Sequence, residues 1–420
     1  GKFYLDETIN ISEAEDLIIK GQDTTLIFTK FSPAFIISDS AKVKLQNITI
    51  DYKPLPFTQG TVIDIASDNS WIDFKIHDGY ESPIPFRRSH IRVYDSESRL
   101  LKPRSINYKP GLKDIISRGD GVYRLQRDIT VRETLEIGDY LVIPKPLTSP
   151  HGVRIYDSEK IVLKNFTLHS SPGFGIIDER CSNNKYLNLN IVPGPKPSGA
   201  TEERLVSTHP DGLHINDSKI GPQIKNSKFI GTVDDAIATY CTPGLVIKNI
   251  EKDKIKVLKQ RQAPKYEPGN IIRIWDMNNF EIIEREISSV EFNEISQKDV
   301  EDSVEKIKPG WPISNKAWKF NKEFYLTLDK PVKIKKGDLV FNWSYQGKDF
   351  EISNNIIKNV SSRGMNINQS DGIIKNNKII HTSNPGFHNP YFIKNISIID
   401  NEFKNSPCGR MAYRNANFKA

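Results

Sequence analysis

One repeated pattern decides the fold, and its clearest copies read Val43-Lys-Leu-Gln-Asn47-Ile-Thr-Ile50 and Ile161-Val-Leu-Lys-Asn165-Phe-Thr-Leu168. Apolar and polar residues alternate in both copies, which is typical of a short strand with one buried face. The Asn in each copy tolerates the left-handed backbone conformation and can therefore turn the chain sharply between strands. Further copies are Gln223-Ile-Lys-Asn226-Ser-Lys-Phe229, Phe350-Glu-Ile-Ser-Asn-Asn355-Ile-Ile357, Ile373-Ile-Lys-Asn-Asn377-Lys-Ile379 and Ile396-Ser-Ile-Ile-Asp-Asn401-Glu-Phe403.

The spacing of the copies predicts how the strands are arranged. Neighbouring copies within one run follow each other at roughly 20 to 25 residues, and no copy is long enough to bury its own apolar face. Such units become stable when each one stacks on the next. Long helical periodicity is absent from the sequence. The pattern therefore predicts an all-β chain built around a parallel β-helix, a solenoid.

Two gaps interrupt the repeated pattern. They contain ordinary strand patterns and close alike, with Ile137-Gly-Asp-Tyr-Leu-Val-Ile143 and Lys336-Gly-Asp-Leu-Val-Phe341. Each gap has roughly 90 to 100 residues, a plausible size for one small domain. We therefore predict two inserted antiparallel β-barrels, at residues 57–147 and 243–345. The predicted β-helix comprises residues 1–56, 148–242 and 346–420.

Composition excludes several classes of protein. The 420-residue chain has 37% apolar residues and no run of 18 of them, which predicts no membrane span. The formal net charge is +7, but no helix-turn-helix or zinc-finger spacing appears, which argues against nucleic-acid binding. Cys181, Cys241 and Cys408 show no metal-binding or disulfide spacing. The sequence opens without a charged-then-apolar leader, and we expect a periplasmic or secreted protein whose signal peptide is absent from it.

Three aspartates form the candidate catalytic group. Asp211 lies in Thr208-His-Pro-Asp-Gly-Leu-His-Ile215, and Asp234 and Asp235 lie about one predicted rung later, in Gly231-Thr-Val-Asp-Asp-Ala-Ile237. Stacked rungs bring such carboxylates together, and each charge then raises the pKa of its neighbours. The cluster can divide into a protonated acid and ionised bases, as hydrolysis of a glycosidic bond requires. The alternative is structural, because an Asp pair often caps a turn through its own backbone.

Other candidate ligand-binding residues lie near this group. His214 is either a sugar hydrogen-bond partner or a core histidine, and His209 belongs to a predicted turn next to Asp211. Arg363 and Arg180 can hold a hydroxyl, sulfate or carboxylate, or can form surface salt bridges. One or two histidines near three aspartates do not suit zinc. An oxygen-rich cluster does suit calcium, although no Asp-x-Asp-x-Asn loop is present. We predict no metal and no cofactor.

These motifs resemble those of glycoside hydrolase family 110, the right-handed β-helix exo-α-galactosidases that release terminal α-1,3-linked galactose. The resemblance covers most of the chain. It rests on Asp211-Gly-Leu-His214, on Gly231-Thr-Val-Asp-Asp-Ala236, on Ser362-Arg-Gly364 after the second gap, and on Pro56-Phe-Thr-Gln59-Gly60 at the first. More distantly, a single Asp followed by an Asp pair is similar to the polygalacturonase family, which shares the β-helix.

The resemblance implies an inverting hydrolase that needs no metal, with Asp234 as the general acid and Asp211 and Asp235 sharing the base role. We expect adjacent rungs to provide the ~6.5–9.5 Å between acid and base that inversion uses. Gln59 and Tyr240 complete the predicted substrate-binding set. Family members usually continue Asp-Asp-Ala with Asn-Val-His-Gly, whereas Ile237-Ala-Thr-Tyr240 stands here. The missing Asn and His are pocket-facing types, so the prediction stays terminal α-1,3-linked galactose, with a sulfated galactan or a diverged neighbouring family as the alternatives.

Two other classes of function are compatible with a β-helix. A polysaccharide lyase or epimerase needs a Lys, Arg, Tyr or His base, and Arg363 and Tyr240 keep this alternative open. A non-catalytic glycan-binding solenoid would present a long aromatic groove rather than clustered carboxylates. The predicted partner is a carbohydrate in each case, a terminal α-galactoside in the first. Because solenoids need capped ends, a homo-oligomer is a further expectation.

Overall fold

In the computed structural model, the repeated segments stack as successive rungs of a right-handed parallel β-helix, which confirms the predicted solenoid. The chain forms two compact units: residues 1–215, 221–239 and 349–420, and residues 216–220 and 240–348. The boundaries of the predicted domains stay a prediction. The structure describes residues 1–68, 70–81, 91–102, 114–126, 135–144, 150–260, 262–276, 281–305, 320–389, 394–407 and 417–419.

One parallel sheet of the solenoid, the eight-stranded face, carries the candidate site. Its strands pair in register from rung to rung, so that Val153 pairs with Phe35 on one side and with Ile176 on the other. These three side chains are buried, because alternate residues of each strand face the interior. The strands are Ile9–Ser12, Phe35–Ser38, Val153–Tyr156, Ile176–Glu179, Leu213–Asn216, Ile237–Tyr240, Met365–Ile367 and Phe387–His388.

A fifteen-stranded parallel sheet forms the rest of each rung. Its early strands continue around a corner, because Val162–Leu168 pairs with both Lys185–Leu187 and Asn190–Ile191. The other strands are Lys2–Leu5, Ile18–Phe28, Lys44–Tyr52, Gln223–Lys225, Lys228–Ile230, Glu351–Ser353, Ile356–Val360, Gly372–Lys375, Lys378–Thr382, Ile396–Ile399, Glu402–Lys404 and Asn417–Lys419.

The asparagines of the repeat divide into two kinds, and the prediction that each one turns the chain is only partly right. Asn47, Asn165 and Asn226 have φ of 58°, 50° and 55°, the left-handed turn that the pattern predicted. In the later copies the preceding residue makes this turn instead, namely Asn354, Asn376 or Asp400. The following residue, Asn355, Asn377 or Asn401, then points inward.

The inward asparagines form a ladder inside the solenoid. The Asn377 side-chain oxygen accepts hydrogen bonds from the backbone N–H and the amide of Asn355 at 3.0 and 2.9 Å. The Asn377 amide donates to the Ile352 carbonyl and to the Asn401 side-chain oxygen at 2.9 and 2.8 Å. The ladder therefore satisfies backbone groups at a corner where the rungs have no room for water.

The first insertion is antiparallel, as predicted, and lies within the larger unit. Its described strands form a six-stranded sheet over an apolar cluster that includes Val62, Phe74 and Leu141. A second cluster joins Phe57 and Tyr94 to residues 200–206 and Val233 of the solenoid. In sheet order the strands are Arg92–Tyr94, Tyr140–Pro144, Phe57–Ile65, Trp71–Ile76, Val122–Gln126 and Ile115–Gly119.

The second insertion contains a closed antiparallel barrel, which confirms the prediction. A short helix, Gln297–Glu305, and a 3-10 turn, Trp343–Tyr345, accompany the barrel. No helix in the part of the chain that the structure describes is long and apolar enough to cross a membrane. In barrel order the strands are Gly244–Asn249, Lys254–Gln260, Phe320–Leu328, Ile282–Glu294, Ile271–Trp275 and Leu339–Asn342.

Asn377→Ala should destabilise the solenoid by about 2–3 kcal/mol, because it leaves the buried Asn355 N–H without its acceptor and removes a donor from the Ile352 carbonyl. Asn10→Ala is the matched control, since this exposed amide makes one hydrogen bond, to the Thr8 carbonyl. It should change stability by less than about 0.5 kcal/mol. Urea unfolding followed by far-UV circular dichroism measures both variants. Equal midpoints for the two would show that the ladder does not stabilise the fold.

Candidate active site

The candidate catalytic residues occupy one repeated position of the eight-stranded face. On each rung a small residue precedes the strand, and its N–H donates to the carbonyl of the next rung. Gly212, for example, donates to the Asp235 carbonyl at 2.9 Å. The residue before each small one therefore stacks on its counterparts along the solenoid axis. We call this the pre-strand column, and it contains His151, Phe174, Asp211, Asp235 and Arg363.

The small residues are required because the rungs approach closely at this point. A Cβ on Gly212 would lie 2.6 Å from the Ala236 carbonyl oxygen, and one on Gly175 would lie 2.4 Å from the Gly212 carbonyl oxygen. Neither contact is sterically possible without moving backbone. A residue followed by Gly or Ala at the start of a strand is therefore the sequence mark of the pre-strand column.

The structure brings Asp211, Asp234 and Asp235 together, as the sequence predicted. One carboxylate oxygen from each lies within 4.8 Å of the others. Asp211 and Asp235 are 5% and 2% exposed, and Asp234 is half-buried. We expected ~6.5–9.5 Å between acid and base, the range typical of inverting pairs. The three oxygens lie closer together than that. Strand spacing explains the difference, since adjacent rungs are only ~4.8 Å apart.

Asp211 is held by its own strand and by the next rung. Its Oδ2 lies 2.6 Å from Nδ1 of His214, and its Oδ1 accepts a hydrogen bond from the Asp235 N–H at 3.2 Å. Burial, with the Asp235 charge in addition, raises the pKa of Asp211 well above its ordinary value. His214 therefore contacts the candidate base itself, an arrangement that the sequence left open.

Asp235 is surrounded by donors from the rung that follows. Its Oδ1 accepts from the Arg363 N–H at 2.9 Å, and its Oδ2 accepts from Arg363 Nη1 at 2.9 Å and from the Asn366 amide at 3.1 Å. Nδ1 of His388 lies 3.1 Å from the Asn366 side-chain oxygen. Arg363 thus lies in the cluster, as predicted, but it binds a carboxylate of the chain.

Asp234 is the least buried residue of the three. Its N–H donates to the Pro210 carbonyl at 2.9 Å, which fixes the backbone beside Asp211. Burial raises the pKa of Asp234 to about 7, and the charges of Asp211 and Asp235 add to this rise. The Ser362 hydroxyl and the Arg92 guanidinium act in the opposite direction. The group can therefore carry a proton near neutral pH.

A stack of three rings extends the site along the solenoid axis. The rings of Phe174 and His214 lie 4.4 Å apart at 13°, and those of His151 and Phe174 lie 4.7 Å apart at 16°. Nδ1 of His151 accepts a hydrogen bond from the Phe174 N–H at 3.2 Å. Burial lowers the pKa of His151 to about 4, so its ring is neutral near pH 7. The stack holds the ring of His214 against Asp211.

The sequence did not identify His151, Phe174, Asn366 or Arg92 as site residues. His151 and Phe174 carry part of a signal, because each precedes a Gly and they lie 174 − 151 = 23 residues apart, one rung of the repeat. Asn366 carries a weaker one, since it follows Arg363 by the three residues that separate His214 from Asp211. Arg92 carries none.

Two predicted substrate-binding residues have structural roles instead. Gln59 is fully buried, and its amide donates to the Glu203 carbonyl at 2.9 Å and accepts from the Leu205 N–H at 3.2 Å. Arg180 makes a two-point ion pair with Asp157 at 2.8 and 2.7 Å. This pair follows the strand Ile176–Glu179, whereas the carboxylate cluster precedes its strands.

The remaining two candidates are His209 and Tyr240. His209 is buried two residues before Asp211, and Tyr240 is the half-buried last residue of the strand Ile237–Tyr240. Their part in substrate binding stays a prediction. Of the cysteines, Cys181 and Cys241 are buried, as expected, and Cys408 lies outside the described residues.

The cluster does not fit a metal ion well. The three carboxylates are close enough to share a cation, but both oxygens of Asp235 already accept hydrogen bonds from Arg363. A guanidinium at this distance repels a cation. The Arg363 side chain therefore occupies the place of a counter-ion at Asp235.

Comparison with known proteins confirms the resemblance at the level of sequence similarity. The α-1,3-galactosidase A of Shewanella woodyi is 24% identical over 251 residues, which cover 54% of this chain and 38% of that protein. The α-1,3-galactosidase B of Parabacteroides distasonis is 21% identical over 96% of this chain and 66% of its own length. The chain thus spans less than two thirds of these relatives. No protein-family model matches it.

Solved structures with some likeness to the chain have low structural scores. A mannuronan C-5 epimerase A-module from Azotobacter vinelandii has a TM-score of 0.29 at 8% identity, over all of this chain and 90% of that one. A Pseudomonas phage tailspike has a TM-score of 0.24 at 8% identity, over 94% of this chain and 50% of that one. The fold assignment rests on the strand pairing described above.

Arg363→Met should destabilise the chain by about 2–4 kcal/mol, because the Asp235 carboxylate is left buried without its counter-ion. Arg180→Met is the matched control, since it breaks an ion pair that water reaches. The control should cost about 1 kcal/mol or less. Thermal or urea unfolding measures both. The double variant Arg363→Met/Asp235→Asn should recover part of the loss, and a loss no larger than that of the control would contradict the proposed charge pairing.

Proposed function

We propose that the chain is a glycoside hydrolase that releases terminal α-1,3-linked galactose from an oligosaccharide or polysaccharide. The observation that carries this proposal is the carboxylate cluster, in which Asp234 has a pKa of about 7 beside two further buried aspartates. Similarity to the α-1,3-galactosidases supports the reaction class and the sugar. A periplasmic or extracellular location suits this substrate and belongs to the same proposal.

Asp234 is the proposed general acid. Asp234 is the half-buried residue of the cluster, and its raised pKa keeps a proton available near neutrality for a glycosidic oxygen. In the reaction this proton passes to the leaving oxygen as the bond from the anomeric carbon to that oxygen breaks. Retention of a proton is favoured because the neighbouring Asp211 and Asp235 charges oppose a third one.

Asp211 and Asp235 are the proposed base, acting on one water molecule. Each carboxylate is oriented by a partner, His214 for Asp211 and Arg363 for Asp235. A water held between them attacks the anomeric carbon and gives up its proton to this pair, so the protons balance over one turnover. The lyase and epimerase alternative is less well supported, because the arginine that it would use is engaged by Asp235.

Asp234→Asn should lower turnover on an α-1,3-galactosyl oligosaccharide by about 10²–10⁴-fold with the fold intact, because the amide cannot donate the acid proton. The matched control is Asp157→Asn, which changes an exposed carboxylate paired with Arg180 and should leave turnover unchanged. Released galactose is measured by chromatography. Full activity of Asp234→Asn would remove this residue from the acid role. If the wild type cleaves only a sulfated or uronic glycan, the proposed reaction class stands and the proposed sugar is wrong.

The first product should be β-galactose, because a single displacement by water inverts the α-anomeric centre. Proton NMR of the reaction within the first minutes, before mutarotation, distinguishes the two anomers. The short oxygen separation of at most 4.8 Å makes this test decisive, since ~5–5.5 Å is typical of retaining enzymes. Initial release of α-galactose would replace the shared-water mechanism with a covalent intermediate on Asp211 or Asp235.

A further inference from the structure

Arg92, on the strand Arg92–Tyr94 of the first insertion, reaches the backbone of the acid. It is 4% exposed, and its Nη2 donates to the Val233 carbonyl at 2.9 Å, the peptide group that joins Val233 to Asp234. Its Nη1 donates to the Ile91 carbonyl at 3.2 Å, and its Nε is buried without a hydrogen-bond partner. Val233 is 141 residues from Arg92 in sequence, so this contact exists only through the docking of the insertion.

Among the described residues, no carboxylate forms an ion pair with the Arg92 guanidinium. Both bonded nitrogens donate to neutral backbone carbonyls. Burial of such a guanidinium destabilises the folded state, because the group loses hydration without gaining a counter-ion. The acidic group that interacts with it electrostatically is Asp234. An uncompensated buried charge next to a reactive carboxyl is the kind of feature that function retains.

The docking of the insertion fixes Arg92 in place. The Leu101 N–H donates to the Asn359 side-chain oxygen at 2.8 Å, and the Asn359 amide donates back to the Arg99 carbonyl at 3.1 Å. Tyr94 and Val233 belong to one apolar cluster, fully buried between the insertion and the solenoid. The strand that carries Arg92 is therefore held on the rung of Asp234 by contacts on both sides.

We propose that Arg92 is a positioning residue for Asp234, so that the first insertion is part of the active site: its guanidinium fixes the Val233–Asp234 peptide and places a positive charge beside the acid. This inference rests on the proposed function for its kinetic consequence. Its electrostatic part concerns the chain alone and can be measured without a substrate.

Several groups face the Asp234 carboxyl, and their effects have known signs. Burial and the charges of Asp211 and Asp235 raise its pKa, whereas the Ser362 hydroxyl and Arg92 lower it. Arg363 contacts Asp235 and His214 contacts Asp211, so both act on Asp234 through those carboxylates. Tyr94 is buried beside Arg92, and burial raises the pKa of its hydroxyl to about 12, so it stays neutral. Removal of the Arg92 charge should therefore raise the pKa of Asp234.

Arg92→Gln tests the charge, because Gln can still donate to the Val233 carbonyl but carries no charge. Carboxyl carbons labelled with ¹³C report the titration directly, with Asp234→Asn assigning the signal. The Asp234 midpoint should rise by about one pH unit, a tenfold change in proton affinity. Arg92→Lys keeps the charge and should leave the midpoint within a few tenths of a unit. Equal midpoints in the Gln, Lys and wild-type proteins would overturn the inference.

The matched control is Arg124→Met, in the same insertion sheet. Arg124 is paired with Asp73 at 2.7 Å through two nitrogens and lies against Trp71. Its loss should destabilise the insertion without moving the Asp234 titration. If Arg124→Met moves the midpoint as far as Arg92→Gln does, the effect comes from loosening of the insertion, and the assignment to Arg92 is wrong. Should Arg92→Gln fail to fold, Arg92→Met, which also removes the charge, replaces it beside Arg92→Lys in the same titration.

The pH dependence of hydrolysis provides the functional readout. An acid must be protonated to act, so wild-type kcat/KM should fall as pH rises through about 7, the pKa of Asp234. Arg92→Gln should move this alkaline limb upward with the titration midpoint, and kcat should fall because the acid becomes a weaker proton donor. A limb that stays fixed while the midpoint moves would separate Arg92 from catalysis. A wild type that cleaves no glycan would refute the proposed function and leave the titration result standing.

Discussion

The spacing of parallel strands is the constraint on which the candidate site depends. Adjacent rungs lie ~4.8 Å apart, so side chains at one position of the repeat face each other at that distance. A sequence that places Asp at this position on two successive rungs must therefore hold two carboxylates in contact range, and Asp234 adds a third. At such a distance like charges repel by about 3–4 kcal/mol even at an effective dielectric of 20. The fold thus turns a linear repeat into a cluster that needs protons or counter-ions.

The residues around the cluster supply counter-ions and hydrogen-bond partners to its carboxylates. Arg363 on the following rung supplies the counter-ion of Asp235, and His214 on the strand after Asp211 supplies its hydrogen-bond partner. Asp234 interacts with the Ser362 hydroxyl and Arg92 instead, and burial raises its pKa to about 7, as burial also raises the pKa of Asp211. The three aspartates therefore differ in their partners, and only Asp211 and Asp235 occupy the same position of the repeat. The proposed division between acid and base rests on these different partners.

The sequence predicted those features that depend on periodicity and missed those that depend on docking. Alternation and rung spacing were enough for the solenoid, the two insertions and the meeting of Asp211 with the Asp pair. The distinction between Asn376, which turns the chain, and Asn377, which points inward, was not available, because both residues tolerate the turn. The contact of Arg92 with Val233 could not be predicted for another reason. It depends on how an inserted sheet packs, and no periodic signal encodes that packing.

In the proposed function, the residues that recognise the sugar can be separated from those that hydrolyse its bond. The departure from the family motif falls on residues 237–240, and Ile237, Ala238 and Thr239 are fully buried. These three side chains therefore leave no polar group on the surface of the strand beside Asp235, where the family motif has Asn and His. For the proposed substrate, contacts near the cluster would come from Tyr240 or from the flanking rungs. There His214 contacts Asp211, Asn366 contacts Asp235, and His388 contacts Asn366. A change of substrate can therefore arise with the carboxylates untouched.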